Sequence, residues 1–246
     1  MRVLTVFAHN NPRSFCHAVL ECFDAGLRDA GHTNEIVDLH AIGFDPVLRD
    51  RDSPNWMDAD APDDIIAKWN LREELMEGAR GPFRRLALKR LLGDRDTRGI
   101  IRLLQERYRP EDVRVQQTKV KAADALAFIA PVYFVGFPAI LKGWIERVFT
   151  LGFAFALTPG AWHGDIGGRI PLLTHQKALI IQTTIFNEAA YGAGLRDAMR
   201  VLMDDFGFRY PGIKRVEHEY FYAVHGANEA RLEEYLARAY TLGREF

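Results

Sequence analysis

The sequence predicts an α/β protein built on a doubly wound parallel sheet. Short apolar runs alternate with amphipathic stretches along all 246 residues. The run at residues 125–130 is uninterrupted, which is typical of a central strand buried on both faces. The run at residues 3–7 passes through a polar loop into a helical pattern. Strands that alternate with helices in this way favour a parallel sheet covered by helices on both sides.

The first strand and helix form a candidate phosphate site. Turn-forming residues occupy positions 9–13, Ser14 is a good N-cap, and apolar residues then recur at helical spacing until Gly31. A helix that begins after such a loop presents free backbone N–H groups and the positive end of its dipole. The loop contains no glycine, which excludes the dinucleotide fingerprint and the P-loop. The alternative interpretation is an ordinary first strand–helix unit.

A helical insertion is expected after the second strand, which covers residues 33–39. A loop runs to Pro54, and residues 63–108 then show two or three amphipathic helices broken at 78–82 and 93–99. Between Arg72 and Arg109 there are eleven basic and six acidic residues. This excess fits either a solvated helix face or a docking surface for an anionic ligand or partner.

The remaining elements complete a five-stranded sheet in the flavodoxin-like order. An aromatic loop at 131–137 follows the central strand, at the carboxyl end where ligands bind in such sheets. We expect one domain, residues 1–246, with the insertion at about 55–110. The other predicted elements are helices at 110–121, 138–149 and 195–206, strands at 178–182 and 215–224, loops at 152–174 and 185–194, and a last helix capped by Asn228.

Composition excludes several classes of protein. A net charge of −1 and a pI near 6.7 give no general attraction to nucleic acid or membranes. Cys16 and Cys22 do not suggest a disulfide scaffold, and Met1 leads directly into the first strand without a signal peptide, so we expect a cytoplasmic protein. Prolines interrupt the apolar residues 125–141, so we expect no membrane span. The histidines lack ligand-like spacing and no nucleophile elbow is present, so neither a metal site nor a serine hydrolase is expected.

Three motifs resemble the NAD(P)H:quinone oxidoreductases. They are Ala8-His9 with residues 13–16, residues 131–134 leading into the long motif 136–149, and Thr183-Thr184 with Tyr191. The likeness covers about residues 1–50 and 111–246. It implies a flavodoxin-like fold, a tightly bound flavin (FMN or FAD), NADPH or NADH as hydride donor, and a homodimer with its active site at the subunit interface.

The resemblance also implies roles for individual residues. The loop at 9–16 would hold the ribityl-phosphate part of the flavin, residues 131–135 would surround the ring, and residues 183–186 would lie against its other edge. Tyr191 matches the active-site tyrosine, and Phe155 and Leu157 match substrate-slot residues that come from the partner subunit. The implied flavin contacts are His9, Arg13, Ser14, Phe15, Cys16, Pro131, Val132, Tyr133, Phe134, Val135, Thr183, Thr184, Ile185 and Phe186.

The sequence departs from the family pattern at two places near the implied site. Ile185-Phe186 replaces the usual glycine pair, which fills space beside the ring. Asp197 occupies the position of the family's active-site histidine, which puts its tyrosine–histidine proton relay in doubt. Residues 51–110 match nothing specific in the family.

The expected function is a flavin-dependent NAD(P)H:quinone oxidoreductase that follows a ping-pong mechanism. A quinone or a similar planar acceptor would take two electrons from the site that the nicotinamide has left. Two alternatives stay open: an azo- or nitroreductase with the same chemistry, and an electron carrier or transporter-regulatory subunit that binds a partner through the basic insertion.

Overall fold

Five parallel strands form the central sheet, in the order β2-β1-β3-β6-β7. The computed structural model describes residues 1–107 and 109–246, so Tyr108, the end of one predicted helical pattern, lies outside the described residues. Counted within this sheet alone the order is 2-1-3-4-5, which confirms the predicted topology. The strands are β1 (Arg2–Phe7), β2 (Thr33–Asp38), β3 (Ala125–Pro131), β6 (Lys177–Thr183) and β7 (Arg215–Phe221), and a separate antiparallel pair consists of β4 (Phe155–Leu157) and β5 (Arg169–Pro171).

Helices cover both faces of the sheet. α1 and α11 lie on one face and cross closely where both carry glycine: a Cβ on Gly26 would lie 2.0 Å from the carbonyl oxygen of Tyr240, and one on Gly243 would lie 2.2 Å from that of Phe23. α6, α7 and a π-helix pack against the other face. The helices are α1 (Phe15–Asp29), α2 (Asp63–Ile66), α3 (Leu71–Gly78), α4 (Pro82–Leu92), α5 (Thr97–Arg107), α6 (Glu111–Ala122), α7 (Ala139–Val148), α8 (Pro159–Trp162), α9 (Glu188–Gly192), α10 (Leu195–Met199) and α11 (Glu229–Arg244).

Alternate side chains of the central strands enter two separate cores. Leu126, Phe128 and Ala130 of β3 pack towards α7, whereas Ala127 and Ile129 pack towards α1 and α11. This division explains why the strand is apolar at every position, since both of its faces are covered.

The insertion forms a small core of its own. Its described residues form four helices, α2 to α5, one more than the upper prediction. The breaks at 79–81 and 93–96 fall within the predicted ones, whereas the break at 67–70, between α2 and α3, was not predicted. Leu71, Leu92, Ile100 and Ile101 are the buried centre of this cluster. Trp69 also packs edge-on against Trp162 of α8, with ring centroids 5.7 Å apart, so the insertion rests on the segment between β4 and β5.

Four loop or helix predictions were wrong in detail. The stretch at 152–174 contains β4, α8 and β5, and the stretch at 185–194 contains α9, which Asn187 caps by accepting a hydrogen bond from Ala190 N. The run towards Pro54 includes a 3₁₀-helix, Asp50–Trp56. The helix predicted at 195–206 is α10 followed by a π-helix, Arg200–Arg209.

Among the described residues, none of the helices combines the length and the apolar character that crossing a bilayer requires.

Candidate functional site

A cleft of about 490 Å³ opens at the carboxyl ends of β1, β3 and β6. The chain reverses its direction of winding between β1 and β3, and such a switch point is where open α/β sheets bind ligands. The residues that line it are His9, Asn11, Ser14, Phe15, Cys16, Pro131, Val132, Tyr133, Thr183, Thr184, Ile185, Val224 and His225.

The start of α1 forms one wall of this cleft. Ser14 is the predicted N-cap, and its Oγ accepts a hydrogen bond from His17 N at 3.2 Å. The first turn of α1 contains no acidic residue. The N–H groups of the first helical turn have no acceptor within the helix. This wall is therefore suited to an anionic group, as the sequence predicts.

His9 is oriented by the loop before α1. Its Nδ1 accepts a hydrogen bond from Asn11 N at 3.0 Å, so the proton of the neutral ring is on Nε2. Burial and, secondarily, the nearby His40 lower the pKa of His9. His9 therefore offers an N–H donor to the cleft. Asn11 in turn accepts a hydrogen bond from Arg13 N at 3.0 Å, which fixes the loop.

Cys16 lies in the floor of the cleft as a neutral thiol. Its side chain is buried, and burial raises its pKa to about 12, while a hydrogen bond with Thr183 acts in the opposite direction. A thiol with so high a pKa is unreactive at neutral pH. The residue therefore packs the site and does not act as a nucleophile.

A tight turn at residues 133–136 forms the rim opposite α1. Tyr133 and Gly136 exchange two backbone hydrogen bonds of 3.1 and 3.2 Å. Phe134 and Val135, between them, have φ angles of +47° and +58°, which is unusual for bulky residues and especially for a β-branched one. Strain of this kind is concentrated at functional sites. The side chain of Phe134 is fully exposed, and neither Phe134 nor Val135 lines the cleft of this chain.

The third wall comes from the end of β6. Thr183 and Thr184 are buried, and the Thr184 hydroxyl donates to the carbonyl oxygen of Phe186 at 2.6 Å. Ile185 and Phe186 are 63% and 60% exposed. Ile185 lines the cleft, whereas Phe186 is not one of its lining residues. The replacement of the family's glycine pair therefore adds one apolar side chain to the wall.

Tyr191 lies behind this wall and does not line the cleft. It is 2% exposed, and its ring packs against Tyr220 and Tyr222 at centroid distances of 5.4 and 5.2 Å. Burial raises its pKa, and a hydrogen bond with Thr184 acts in the opposite direction. The phenol therefore stays protonated at neutral pH, and Thr184 links it to the cleft. Asp197 lies exposed on α10.

The two predicted substrate residues are also outside this cleft. Phe155 and Leu157 belong to β4, and Phe155 packs edge-on against Tyr210 at 5.3 Å. Their predicted role depends on a second copy of the chain. Arg13 is likewise near the site but is not one of its lining residues.

Three lining residues were missed in the sequence. Asn11 lies in the loop that precedes α1 and could have been included, since that loop was already the candidate phosphate site. Val224 and His225 follow β7. The signal for them was the parallel topology, which brings the carboxyl end of β7 to the same edge of the sheet as that of β6. Within the parts of the chain that the structure describes, no three potential metal ligands come together.

Comparison with known proteins agrees with this architecture. A family model described as flavodoxin-like fold matches residues 1–242. NAD(P)H dehydrogenase [quinone] 1 from Cavia porcellus is 29% identical over 203 residues, which cover 82% of this chain but 60% of that protein. An uncharacterized NAD(P)H oxidoreductase from Haemophilus influenzae is 25% identical over 226 residues, 92% of this chain and 85% of that protein.

The similarity extends to a solved structure. The NAD(P)H:quinone oxidoreductase from Methanothermobacter marburgensis superposes with a TM-score of 0.68 at 28% identity, covering 100% of this chain and 95% of the other. The chain spans about three fifths of the length of the first curated relatives that it matches, 57% to 62%.

Proposed function

This chain belongs to the family of proteins with the flavodoxin-like fold, and from that premise we propose that it is a flavin-dependent NAD(P)H:quinone oxidoreductase. One observation carries the proposal: residues of the motifs at 9–16, 131–133 and 183–184 line a single cleft at the carboxyl edge of the sheet. The similarity to the Cavia porcellus NAD(P)H dehydrogenase [quinone] 1 and to the Methanothermobacter marburgensis NAD(P)H:quinone oxidoreductase supports it.

The cleft suits the phosphate tail of a flavin. Its α1 wall combines the positive end of a 15-residue helix with a first turn free of acidic residues. The N–H groups of Phe15 and Cys16 and the Nε2–H of His9 would bind phosphate oxygens there, with Ser14 holding the helix start. Arg13, on the same loop, would add a positive charge.

The remaining walls suit a flat, partly apolar ring. Pro131, Val132 and Tyr133 form one side, and Val132 N is fixed by a 2.9 Å hydrogen bond to the carbonyl oxygen of Thr183. Thr183, Thr184 and Ile185 form the other side. Phe134, Val135 and Phe186 would extend these walls outward from the rim of the cleft.

A bound flavin would accept a hydride from NADPH or NADH and pass two electrons to the quinone. The residues of this chain would position the nicotinamide and then the quinone at the same exposed face of the flavin ring, so a ping-pong mechanism is expected. Tyr191 would hold a proton in the site: its raised pKa keeps the phenol neutral, and its contact with Thr184 places it one side chain behind the cleft. Phe155 and Leu157 from a second copy would cover the quinone, which implies a homodimer.

The experiment is a turnover assay on the purified protein. We expect a yellow protein whose released chromophore has the mass of FMN or FAD, and which oxidises NADPH rapidly only when menadione is added. Parallel double-reciprocal plots would support the ping-pong mechanism, and intersecting plots would contradict it. Bound flavin without turnover would favour an electron-carrier or regulatory subunit. Azo dyes and nitroaromatics as acceptors would test the alternative acceptor classes.

A further inference from the structure

Helix α4 of the insertion carries apolar side chains on two opposite faces. Leu88, Leu91 and Leu92 face the core of the insertion. Phe83 and Leu86 face outward and are 86% and 50% exposed. At about 100° per residue, the side chains of Phe83 and Leu86 project within one narrow arc of the helix. An exposed apolar stripe on a helix marks an interaction site more often than an isolated apolar residue does.

This stripe is surrounded by positive charge. Residues 78–93 contain five basic residues and no acidic one. Among the described residues of the insertion, the basic residues that pair with a carboxylate within 4.0 Å are Lys68, Arg98 and Arg102, which lie outside residues 78–93. The five exposed basic residues along and just before α4 are Arg80, Arg84, Arg85, Lys89 and Arg90.

We propose that this outer face of α4, defined by Phe83, Leu86, Lys89 and Arg90, binds the surface of an anionic lipid bilayer. A basic helix with an aromatic and aliphatic stripe lies in the plane of the interface, with the apolar side chains at the boundary of headgroups and acyl chains. Anionic headgroups attract each Lys or Arg near the surface. The 11 residues of α4 rest on their own core through the opposite face, so the protein would bind peripherally.

The charge of this face argues against two other occupants. A second copy that docked symmetrically through α4 would bring like charges together, with no carboxylate in residues 78–93 to pair them. The phosphates of nucleic acid would pair with the basic residues, but contacts with phosphate would not bury the exposed side chains of Phe83 and Leu86. A bilayer surface uses both features.

The test is sedimentation of the purified full chain with vesicles. We expect binding to phosphatidylcholine vesicles that contain phosphatidylglycerol, weak binding to phosphatidylcholine alone, and a decrease in binding as salt is added. Lys89→Gln with Arg90→Gln is expected to weaken binding roughly 25-fold, since each charge near an anionic surface contributes about fivefold. Phe83→Ala is expected to weaken it about tenfold or more.

Matched controls separate the α4 face from the overall charge and hydrophobicity of the chain. Lys214→Gln with Arg244→Gln removes two exposed charges elsewhere, and Ile166→Ala removes an apolar side chain that is 67% exposed. Both controls are expected to bind vesicles within twofold of the wild type.

Several results would overturn the proposal. One is equal binding to neutral and anionic vesicles, and another is a loss of vesicle binding in the control variants as large as that in the α4 variants. Binding to duplex DNA as tight as that to vesicles would also contradict it. So would α4 variants that no longer dimerise in solution but still bind vesicles like the wild type. Sedimentation does not depend on turnover, and we expect the α4 variants to reduce menadione like the wild type in vesicle-free buffer. Failure of this proposal is therefore distinguishable from failure of the proposed enzyme activity.

Discussion

The Arg147 guanidinium lies 3.0 Å from the Asp52 carboxylate, and both side chains are completely buried. Arg147 belongs to α7, within the motif at residues 136–149, whereas Asp52 belongs to the 3₁₀-helix that leads into the insertion. Arg147 also donates to Asp112 at 2.6 Å and to the carbonyl oxygen of Asp45 at 2.7 Å. One side chain therefore ties α7 to the two segments that flank the insertion.

Arg147→Met is expected to destabilise the protein strongly. It leaves the buried Asp52 without a counter-charge, which costs about 3–5 kcal/mol in the free energy of unfolding. Asp52→Asn should cost less, because Arg147 keeps Asp112 and the Asp45 carbonyl. Arg114→Met, which breaks an exposed pair with Glu111 on α6, is the matched control and should cost about 0.5 kcal/mol or less. Urea unfolding measures all three, and equal losses for Arg147 and Arg114 would contradict the account.

The two cysteines are expected to differ in reactivity. Burial raises the pKa of Cys16 from 9.0 to about 12, so its thiolate fraction at a given pH is lower by roughly 1000-fold. Cys22 is only half-buried. In the flavin-free native protein, a thiol reagent such as DTNB should therefore label Cys22 alone, and both cysteines in denaturant. Native Cys22→Ser protein should stay unlabelled, and prompt labelling of that variant would show that the floor of the cleft is open.

Relief of strain in the rim turn is expected to stabilise the protein. Val135 has φ +58°, where a non-glycine residue costs about 1–2 kcal/mol. Val135→Gly removes this cost against roughly 0.5–1 kcal/mol of added chain entropy, for a net gain of up to about 1.5 kcal/mol in unfolding free energy. Val47→Gly, at an exposed position outside the positive-φ region, should destabilise instead. Thermal unfolding of the two variants compares them, and destabilisation by both would refute the strain.

Tyr191→Phe tests the proposed role of the Tyr191 phenol behind the cleft. The substitution keeps the buried ring but removes the phenol, so kcat for quinone reduction is expected to fall about tenfold or more. The midpoint of flavin binding should change little. Tyr222→Phe, on the ring that packs against Tyr191 at 5.2 Å, is the control and should stay within twofold. Equal kcat values for wild type and Tyr191→Phe would leave Tyr191 with a packing role only.

The sequence predicts those features that depend on local pattern. The continuous run of β3, the cap at Ser14 and the alternation of strands and helices each follow from neighbouring residues, and together they determine the five-stranded order. The parallel arrangement then places the ends of β1, β3 and β6 at one edge, which is why most of the predicted site residues line one cleft.

Other features depend on contacts between distant parts of the chain. β4 and β5 have three residues each, too few to show a period, and exist because they pair with one another. The buried carboxylate of Asp204 in the π-helix has a polar partner in His218 of β7, whose Nδ1 lies 2.9 Å from Asp204 Oδ1. Tyr191 matches its motif by spacing, but its distance from the cleft depends on how Tyr220 and Tyr222 pack beneath it. From the sequence alone, a charged residue such as Arg147 is expected at the surface. It is buried because the fold brings Asp52, 95 positions away, beside it.

The most direct test of the central claim is a titration of the flavin-free protein with FMN, FAD and riboflavin, followed by the quenching of flavin fluorescence. The claim is that the start of α1 holds the phosphate of a flavin. Ser14→Asp preserves an N-cap of equal quality but adds a negative charge at that position, and Ser14→Asn is the neutral control with the same capping ability. We predict one site for FMN or FAD per chain. The affinity for FMN should be at least about 10-fold weaker in Ser14→Asp than in Ser14→Asn, which corresponds to a repulsion of about 1.4 kcal/mol or more between the added carboxylate and the phosphate. Riboflavin, which has no phosphate, should bind similarly to both variants. Absence of flavin binding by the wild-type chain, or equal loss of riboflavin and FMN in Ser14→Asp, would contradict it.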